Sequence, residues 1–200
     1  MFEPMKKGQV ENLFPILEEL LKRQSVLWSQ LNAIAVGIGP GNFTGIRLSV
    51  SAARGLALSL GIPAIAISNF EILEALSQKK KKDEQVKILS LQGPGASAYI
   101  QIFKKNTKSI TNFQINLKDI NLDIPVDSKS IIIGYKAKEI AKDIGCKYIN
   151  RDLENIPINL VKIAKRKFLS GVSSKPRPTP LYIRGANAES PKNSKLKVFS

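Results

Sequence analysis

This 200-residue sequence has no histidine and a single cysteine, Cys146. Because imidazole titrates near neutrality and also binds borderline metals, its absence excludes most general-base, catalytic-triad and zinc chemistry. A single cysteine excludes an internal disulfide and a cysteine-clustered metal site. Mechanisms of these kinds are therefore largely closed to this chain, and we expect no catalytic residue, no metal and no cofactor in it.

Long apolar runs and clustered aromatic residues are also missing. No run approaches the roughly 20 apolar residues that span a bilayer, and the opening residues MFEPMKKGQV have no apolar segment typical of a secretory signal. We therefore expect no membrane contact and a cytoplasmic location. Aromatic residues make up 6% of the chain and form no visible cluster, which argues against the stacking of RNA bases.

Acidic residues are scarce relative to basic ones. The chain has 31 Lys and Arg residues against 16 Asp and Glu residues, so its formal net charge is +15. This charge favours a polyanionic partner, since Lys and Arg release phosphate counterions when they bind one. The alternative is a compositional bias, because lysine far outnumbers arginine and commonly covers exposed surfaces. Both interpretations stay open at this point.

Apolar residues at three- and four-residue spacing predict a helix over residues 9–23. One stripe is formed by Val10, Leu13, Leu17 and Leu20. Further apolar residues widen the arc beyond what one core-facing stripe needs. The helix is therefore either deeply buried, or packed on its own domain and on a second protein.

The next segments alternate between strand and helix patterns. AIAVGI at 33–38 and PAIAIS at 63–68 are short apolar runs, typical of strands that are covered on both faces. A glycine-rich loop and a helix over 45–60 connect them, and a further helix follows at 70–78. This order predicts a crossover unit in a mainly parallel sheet.

The second half begins after a charged run, KKKKDE at 79–84, which predicts a boundary because four adjacent lysines are not buried. VKILSLQ and SAYIQIF alternate like paired strands across a Gly-Pro-Gly turn. SIIIGY predicts another strand, and helices are expected at 137–144 and 158–169. The proline-rich tail is extended apart from PLYIR.

These patterns divide the chain into three parts. Residues 1–84 form an N-terminal subdomain, residues 85–172 a second subdomain, and residues 173–200 an extended C-terminal tail. The fold class that they predict is α/β.

The glycine loop has two interpretations. Gly39, Pro40, Gly41, Thr44 and Gly45 stand between a strand and a helix, where backbone N–H groups can hold a phosphate. The loop has no Lys-Ser/Thr pair after Gly45 and does not satisfy the dinucleotide-binding spacing. The alternative is a tight turn that lets the helix start close to the sheet.

Two arginines mark one face of the helix that follows. Arg47 and Arg54 lie two helical turns apart, with Val50 and Ser51 between them. Arginine beside small residues is favoured at protein interfaces, because guanidinium combines charge with a flat, weakly hydrated face. Alternatively, both side chains extend into water.

Residues 35–68, AVGIGPGNFTGIRLSVSAARGLALSLGIPAIAIS, resemble the signature segment of the TsaB family, also called YeaZ. The upstream GQVENLFPILEELL and the C-terminal PRPTPLYIRGANAESPK are similar to other segments of that family. The resemblance implies the actin, hexokinase and Hsp70-like fold, which is RNase H-like and has two related α/β subdomains. Relative to that fold, the chain starts after an N-terminal strand and an Asp-Thr-Ser turn, so the first subdomain is expected to be incomplete.

The resemblance implies a non-catalytic scaffold in the bacterial modification of tRNA to N6-threonylcarbamoyladenosine (t6A). Its partners would be a catalytic subunit like TsaD, an ATPase like TsaE and tRNA through the complex, with a homodimer as another assembly. In the catalytic paralogue a pair of metal-binding histidines stands where this chain has Asn69 and Leu73. The helices at 9–23 and 45–60 would pack against the matching pair of the catalytic subunit. The expected contacts are Leu13, Leu17, Leu20, Arg47, Val50, Ser51 and Arg54.

Departures from the family keep other functions open. Gln92, Pro94 and Ser97 stand where members of the family usually carry charged residues. One alternative is a sugar-kinase-like or peptidase-like enzyme of the same fold. The other is a basic tRNA-binding module that uses Lys79 to Lys82 and the lysine-rich C-terminal region.

Overall fold

The structure is a computed structural model that describes residues 9–77, 86–104, 107–120, 129–171 and 177–183. The charged run at 79–84 and the tail beyond residue 183 lie outside the described residues. Among the described residues, the α-helices are α1 (Gln9–Arg23), α2 (Phe43–Leu60), α3 (Asn69–Leu76), α4 (Ala137–Ile144) and α5 (Ile156–Leu169). The strands among them are β1 (Ile34–Gly37), β2 (Ala64–Ile67), β3 (Val86–Gln92), β4 (Ser97–Lys104), β5 (Thr107–Asn116), β6 (Ile131–Gly134) and β7 (Lys147–Asn150).

These elements form two compact units. Unit one is the described part of residues 1–80 and 151–182, and unit two is the described part of residues 81–150 together with Ile183.

Unit one contains the predicted crossover. Strands β1 and β2 pair in parallel, with Ile34 opposite Ala64 and Gly37 opposite Ile67, and α2 connects them. Within the described residues this sheet has two strands. Helix α2 begins after Asn42 and ends at Gly61, which adopts the left-handed conformation (φ 67°) that glycine allows without strain.

Helices cover both faces of this small sheet. On one face, Val36 packs with Val50 and Ala53 of α2. On the other face, Ile65 and Ile67 pack with residues of α3 and α5. This double covering explains why β1 and β2 are continuous apolar runs in the sequence, because side chains on both faces of each strand pack against helices.

Helix α5 corrects the predicted domain division. The sequence analysis placed residues 85–172 together, but the structure assigns residues 151–171 to unit one. Ile163 and Ala164 of α5 are buried against Ile65, Ile67 and Ile72. Apolar burial on β2 and α3 therefore decides where this helix belongs, although it is distant from them in the sequence.

In unit two, the described residues form a sheet of order β5-β4-β3-β6-β7. The pairs β3–β4 and β4–β5 are antiparallel, whereas β3–β6 and β6–β7 are parallel. The predicted hairpin across Gly93, Pro94 and Gly95 is present. Strands β5 and β7 were not predicted. Ile88, Ile100, Ile132 and Ile140 form the fully buried centre of this unit.

Candidate functional site

The glycine loop between β1 and α2 is held by two asparagine side chains. Asn42 accepts a hydrogen bond from the Gly45 N–H over 2.9 Å, which caps α2. Asn69 donates its side-chain amide to the Pro40 carbonyl and its backbone N–H to the Gly39 carbonyl, both over 2.8 Å. These bonds tie the loop to the starts of α2 and α3.

Gly39 has the strictest steric requirement in the loop. Its φ is 94°, and a Cβ atom there would lie 2.6 Å from Cδ1 of Ile46. A larger residue is disfavoured, because its backbone would be strained at this φ and the end of the Ile46 side chain would have to move. Gly39 and Pro40 are buried, whereas Gly41 and Thr44 are exposed and Gly45 is half-buried. The geometry favours the tight-turn interpretation of the loop.

Asn69 and Leu73, which the family resemblance places at the positions of a metal-binding histidine pair, both have structural contacts here. Asn69 is half-buried and spends its amide on the loop. Leu73 is fully buried.

The exposed face of α2 differs from the expected contact set at one position. Arg47, Ser51 and Arg54 are exposed, as an interface requires. Val50 is only 2% exposed and packs against Val36, so it belongs to the core and not to that surface. We therefore remove Val50 from the expected contacts.

On α1, the expected contacts are only partly covered. Leu13 and Leu17 are half-buried, and Leu20 is 37% exposed. Phe14 is 44% exposed as well. The polar side of this helix carries a pair between the Arg23 Nε and the Glu19 carboxylate at 2.8 Å. Its hydrogen bond and charge lower the pKa of Glu19 below the usual value of 4.5.

Arg47 lies in a cluster that sequence reasoning missed, formed by Phe43, Arg47 and Tyr182. The Arg47 guanidinium carbon lies 3.7 Å from the centre of the Phe43 ring. Its Nε donates a hydrogen bond of 2.7 Å to the hydroxyl of Tyr182, a residue 135 positions away. The two rings lie 5.3 Å apart and are 52% and 51% exposed. We call this the aromatic–arginine cluster.

This cluster corrects the expectation that exposed aromatics are not grouped. Phe43 and Tyr182 are far apart in the sequence, so no local pattern announces their contact. The Leu181 N–H donates to the Ile38 carbonyl over 2.8 Å. This hydrogen bond holds the tail beside the loop between β1 and α2, next to Tyr182.

A cleft of about 380 Å³ lies at the C-terminal end of α2. Its charged lining consists of Arg54 and Arg177, and its apolar lining includes Leu58, Ile62 and Pro178. Within the part of the chain that the structure describes, neither arginine forms an ion pair.

Among the residues that the structure describes, no group of three or more Cys, Asp or Glu side chains is placed to hold a metal ion. No described helix is both long enough and apolar enough to cross a membrane.

Comparisons with known proteins fit this architecture. Residues 3–91 match the family model of TsaD, tRNA N6-adenosine threonylcarbamoyltransferase. Two relatives are named tRNA threonylcarbamoyladenosine biosynthesis protein TsaB, from strains of Buchnera aphidicola. The one from the Acyrthosiphon pisum subspecies is 32% identical over 54% of this chain and 48% of its own length. The one from the Schizaphis graminum subspecies is 28% identical over 88% of this chain and 84% of its own length.

These comparisons support the predicted resemblance to the TsaB family. The match of this chain spans about half of the first TsaB relative and most of the second. A crystal structure from Pseudomonas aeruginosa, described as an uncharacterized protein with similarity to peptidase YEAZ, has a TM-score of 0.63. It is 19% identical, and the match covers 92% of this chain and 88% of that one. The actin, hexokinase and Hsp70-like α/β fold is thereby confirmed.

Proposed function

We propose that this chain is a non-catalytic scaffold subunit in the formation of N6-threonylcarbamoyladenosine in tRNA, and that it binds a catalytic subunit like TsaD. The names of its TsaB relatives support the pathway. The match of residues 3–91 to the transferase family supports a paralogous partner of the same fold. An ATPase like TsaE, and tRNA held through the complex, complete the proposed assembly.

The observation that carries the proposal is the incomplete covering of α1 and α2. Leu20 and Phe14 of α1 remain 37% and 44% exposed. Helix α2 exposes Arg47, Ser51 and Arg54 on one face, and Gly55 adds a further exposed small residue. Small residues let a second helix approach closely, and arginine tolerates partial desolvation well. A stable interface buries about 800 Å² per partner, which two helices can supply.

Co-purification with the catalytic subunit tests the proposal. We expect Leu20→Glu combined with Arg54→Glu to abolish the complex, because a buried carboxylate and a reversed charge both oppose association. The matched control is Leu169→Glu on α5, since Leu169 is 73% exposed and outside the proposed surface. Unchanged binding of the double variant, with the control also binding, would show that this surface is not the interface.

Two further measurements on the purified chain separate the competing functions. A homodimer that forms in place of the complex would be seen by light scattering of the purified chain. Hydrolysis of ATP or of a peptide by the chain alone would overturn the non-catalytic role and favour an enzyme of the same fold.

A further inference from the structure

We infer that the aromatic–arginine cluster is a stacking site for an unpaired RNA base, and that Arg177 holds a neighbouring backbone phosphate. This goes beyond the proposed function, in which tRNA is reached through the complex and no residue of this chain contacts it. The inference rests on side-chain geometry and charge alone, so it does not require the catalytic subunit.

The side chains of the aromatic–arginine cluster are held in place while their rings stay exposed. The Arg47 guanidinium lies against one face of the Phe43 ring and also bonds the Tyr182 hydroxyl, so all three side chains hold each other in place. The rings nevertheless stay 52% and 51% exposed. Two exposed rings that are already ordered lose little side-chain entropy when a flat ligand stacks on them.

The chain segments around the cluster carry basic residues and no acidic ones. The sequence contains no Asp or Glu in residues 24–70 or in residues 155–188, the two stretches that supply α2, α5 and the tail. A region without acidic residues can bind an acidic or mixed-charge protein surface. The open aromatic rings, however, favour a flat ligand with a π face. A nucleobase attached to phosphates matches both features.

Arg47 and Arg54 are spaced along α2 at a distance that suits neighbouring nucleotides. Arg54 lies seven residues after Arg47, which is roughly 10 Å along a helix axis, and it shares its cleft with Arg177 of the tail. The same tail supplies Tyr182 to the cluster. The tail and α2 therefore present aromatic rings at one end and arginines at the other, within the span of a few nucleotides.

Fluorescence of a short single-stranded RNA tests the stacking site. The probe contains adenine and uracil, is about ten nucleotides long, which is within the site sizes of single-strand binders, and carries one central 2-aminopurine, whose emission falls on stacking. We expect the purified full-length chain to quench it. Phe43→Ala should weaken binding about 5- to 150-fold, the usual effect of losing one stacked base, and Phe43→Tyr should restore it.

The control for aromatic content is Tyr148→Ala, because Tyr148 is 47% exposed and lies in unit two. It should bind and quench like the unaltered chain. A thermal unfolding curve of each variant separates loss of the site from loss of the fold. An unquenched probe, or equal losses in Phe43→Ala and Tyr148→Ala, would overturn the inference.

Salt dependence distinguishes the two roles. Arg177→Ala should reduce the slope of log K against log salt by about 0.7, the value for one phosphate contact on a single strand, whereas Phe43→Ala should leave the slope unchanged. An unaltered slope in Arg177→Ala would remove that residue from the site.

Binding of the same variants to the catalytic subunit is measured separately. If Phe43→Ala lost the catalytic subunit and still bound RNA normally, the cluster would be a protein contact and the inference would be wrong while the scaffold proposal stood. If the variant with Leu20→Glu and Arg54→Glu still bound the catalytic subunit and Phe43→Ala lost the stacking, the proposed scaffold surface would be wrong and the inference about RNA would stand.

Discussion

Asn42 and Asn69 hold the glycine loop from its two ends. Asn42 caps α2 through the Gly45 N–H, and Asn69 binds the Pro40 and Gly39 carbonyls. Each asparagine supplies a polar group that the turning backbone does not supply for itself. The loop is therefore fixed by side chains at the residue scale, before any packing of helices is considered.

Removal of the cap gives the first prediction. Asn42→Ala should lower the free energy of unfolding by about 1 kcal/mol, because the first turn of α2 loses a partner for one of its free N–H groups. Urea unfolding measures this. Asn32→Ala, at an exposed position outside any helix, should change stability little. Equal effects of the two substitutions would contradict a capping role.

Cys146 gives a prediction about pH. Burial raises the pKa of its thiol above the usual 9.0, and a backbone hydrogen bond from Ile132 opposes this more weakly. Since the unfolded chain ionises first, it binds fewer protons than the native chain above pH 9, and stability falls as the pH rises from there. Below that pH the effect vanishes.

The rate of alkylation by iodoacetamide checks the same shift. The native chain should react with a midpoint above pH 9.0, and the chain in concentrated urea with a midpoint at its usual value. A native midpoint at or below the urea value would show that the thiol is not shielded.

Val50 shows where reasoning about single residues stops. The seven-residue spacing correctly placed Arg47 and Arg54 on one exposed face of α2. Val50 lies about 60° around the helix from Arg47, and that rotation turns it toward β1, where it packs on Val36. Periodicity gives angles around a helix, but the side on which the sheet lies is set by tertiary packing.

At the scale of elements, the outer edge of β2 is closed by a side chain of α5. The Pro63 and Ile67 carbonyls accept hydrogen bonds from the N–H groups of Ile34 and Ile38, so the Ala66 carbonyl, one residue out of phase, points away from β1. Lys167 donates to that carbonyl over 2.8 Å and also pairs with the Glu71 carboxylate. A lysine at a strand edge opposes pairing with another chain.

Lys167→Met therefore tests how α5 is attached. We expect a loss of about 1–2 kcal/mol, because the substitution leaves a strand carbonyl and a half-buried carboxylate without their cation. Lys165→Met, at an exposed position on the same helix, is the matched control. The measurement is urea unfolding, and similar stabilities of the two variants would rule out this attachment.

Sequence patterns predicted the elements unequally. Strands β1, β2 and β6 are continuous apolar runs, and their patterns were read correctly. Strand β7, KYIN, is exposed at all four residues, so it has neither alternation nor an apolar run to reveal it. Strand β5, TKSITNFQIN, is rich in polar residues. Pairing with a neighbour, which no local pattern reports, makes both of them strands.

For the whole molecule, unit one is assembled from segments far apart in the chain. Helix α5 follows β7 in the chain, yet it packs on β2 and α3 through Ile163 and Ala164. The tail follows α5 and reaches α2 through Tyr182. The core and the aromatic–arginine cluster of this unit both depend on the return of the chain.

Ile163→Ala tests this assembly. Ile163 is 3% exposed, so truncation should cost about 2–4 kcal/mol through lost burial and a cavity. Hydrogen exchange should then show reduced protection of the amides of β2 and α3. Val161→Ala on the same helix, where Val161 is 62% exposed, should leave protection unchanged. A loss confined to residues 86–150 would contradict the assignment of α5 to unit one.

The sequence by itself determined the local features: the apolar strands β1, β2 and β6, the periodic helices α1 and α2, and the family resemblance carried by residues 35–68. These depend on interactions between neighbours in the chain, which spacing records directly. Only the tertiary structure decided that α5 joins unit one, that Val50 is buried, and that Tyr182 meets Arg47 and Phe43. Contacts between distant segments depend on which apolar surfaces cover each other when the chain folds, and one-dimensional periodicity does not contain that choice.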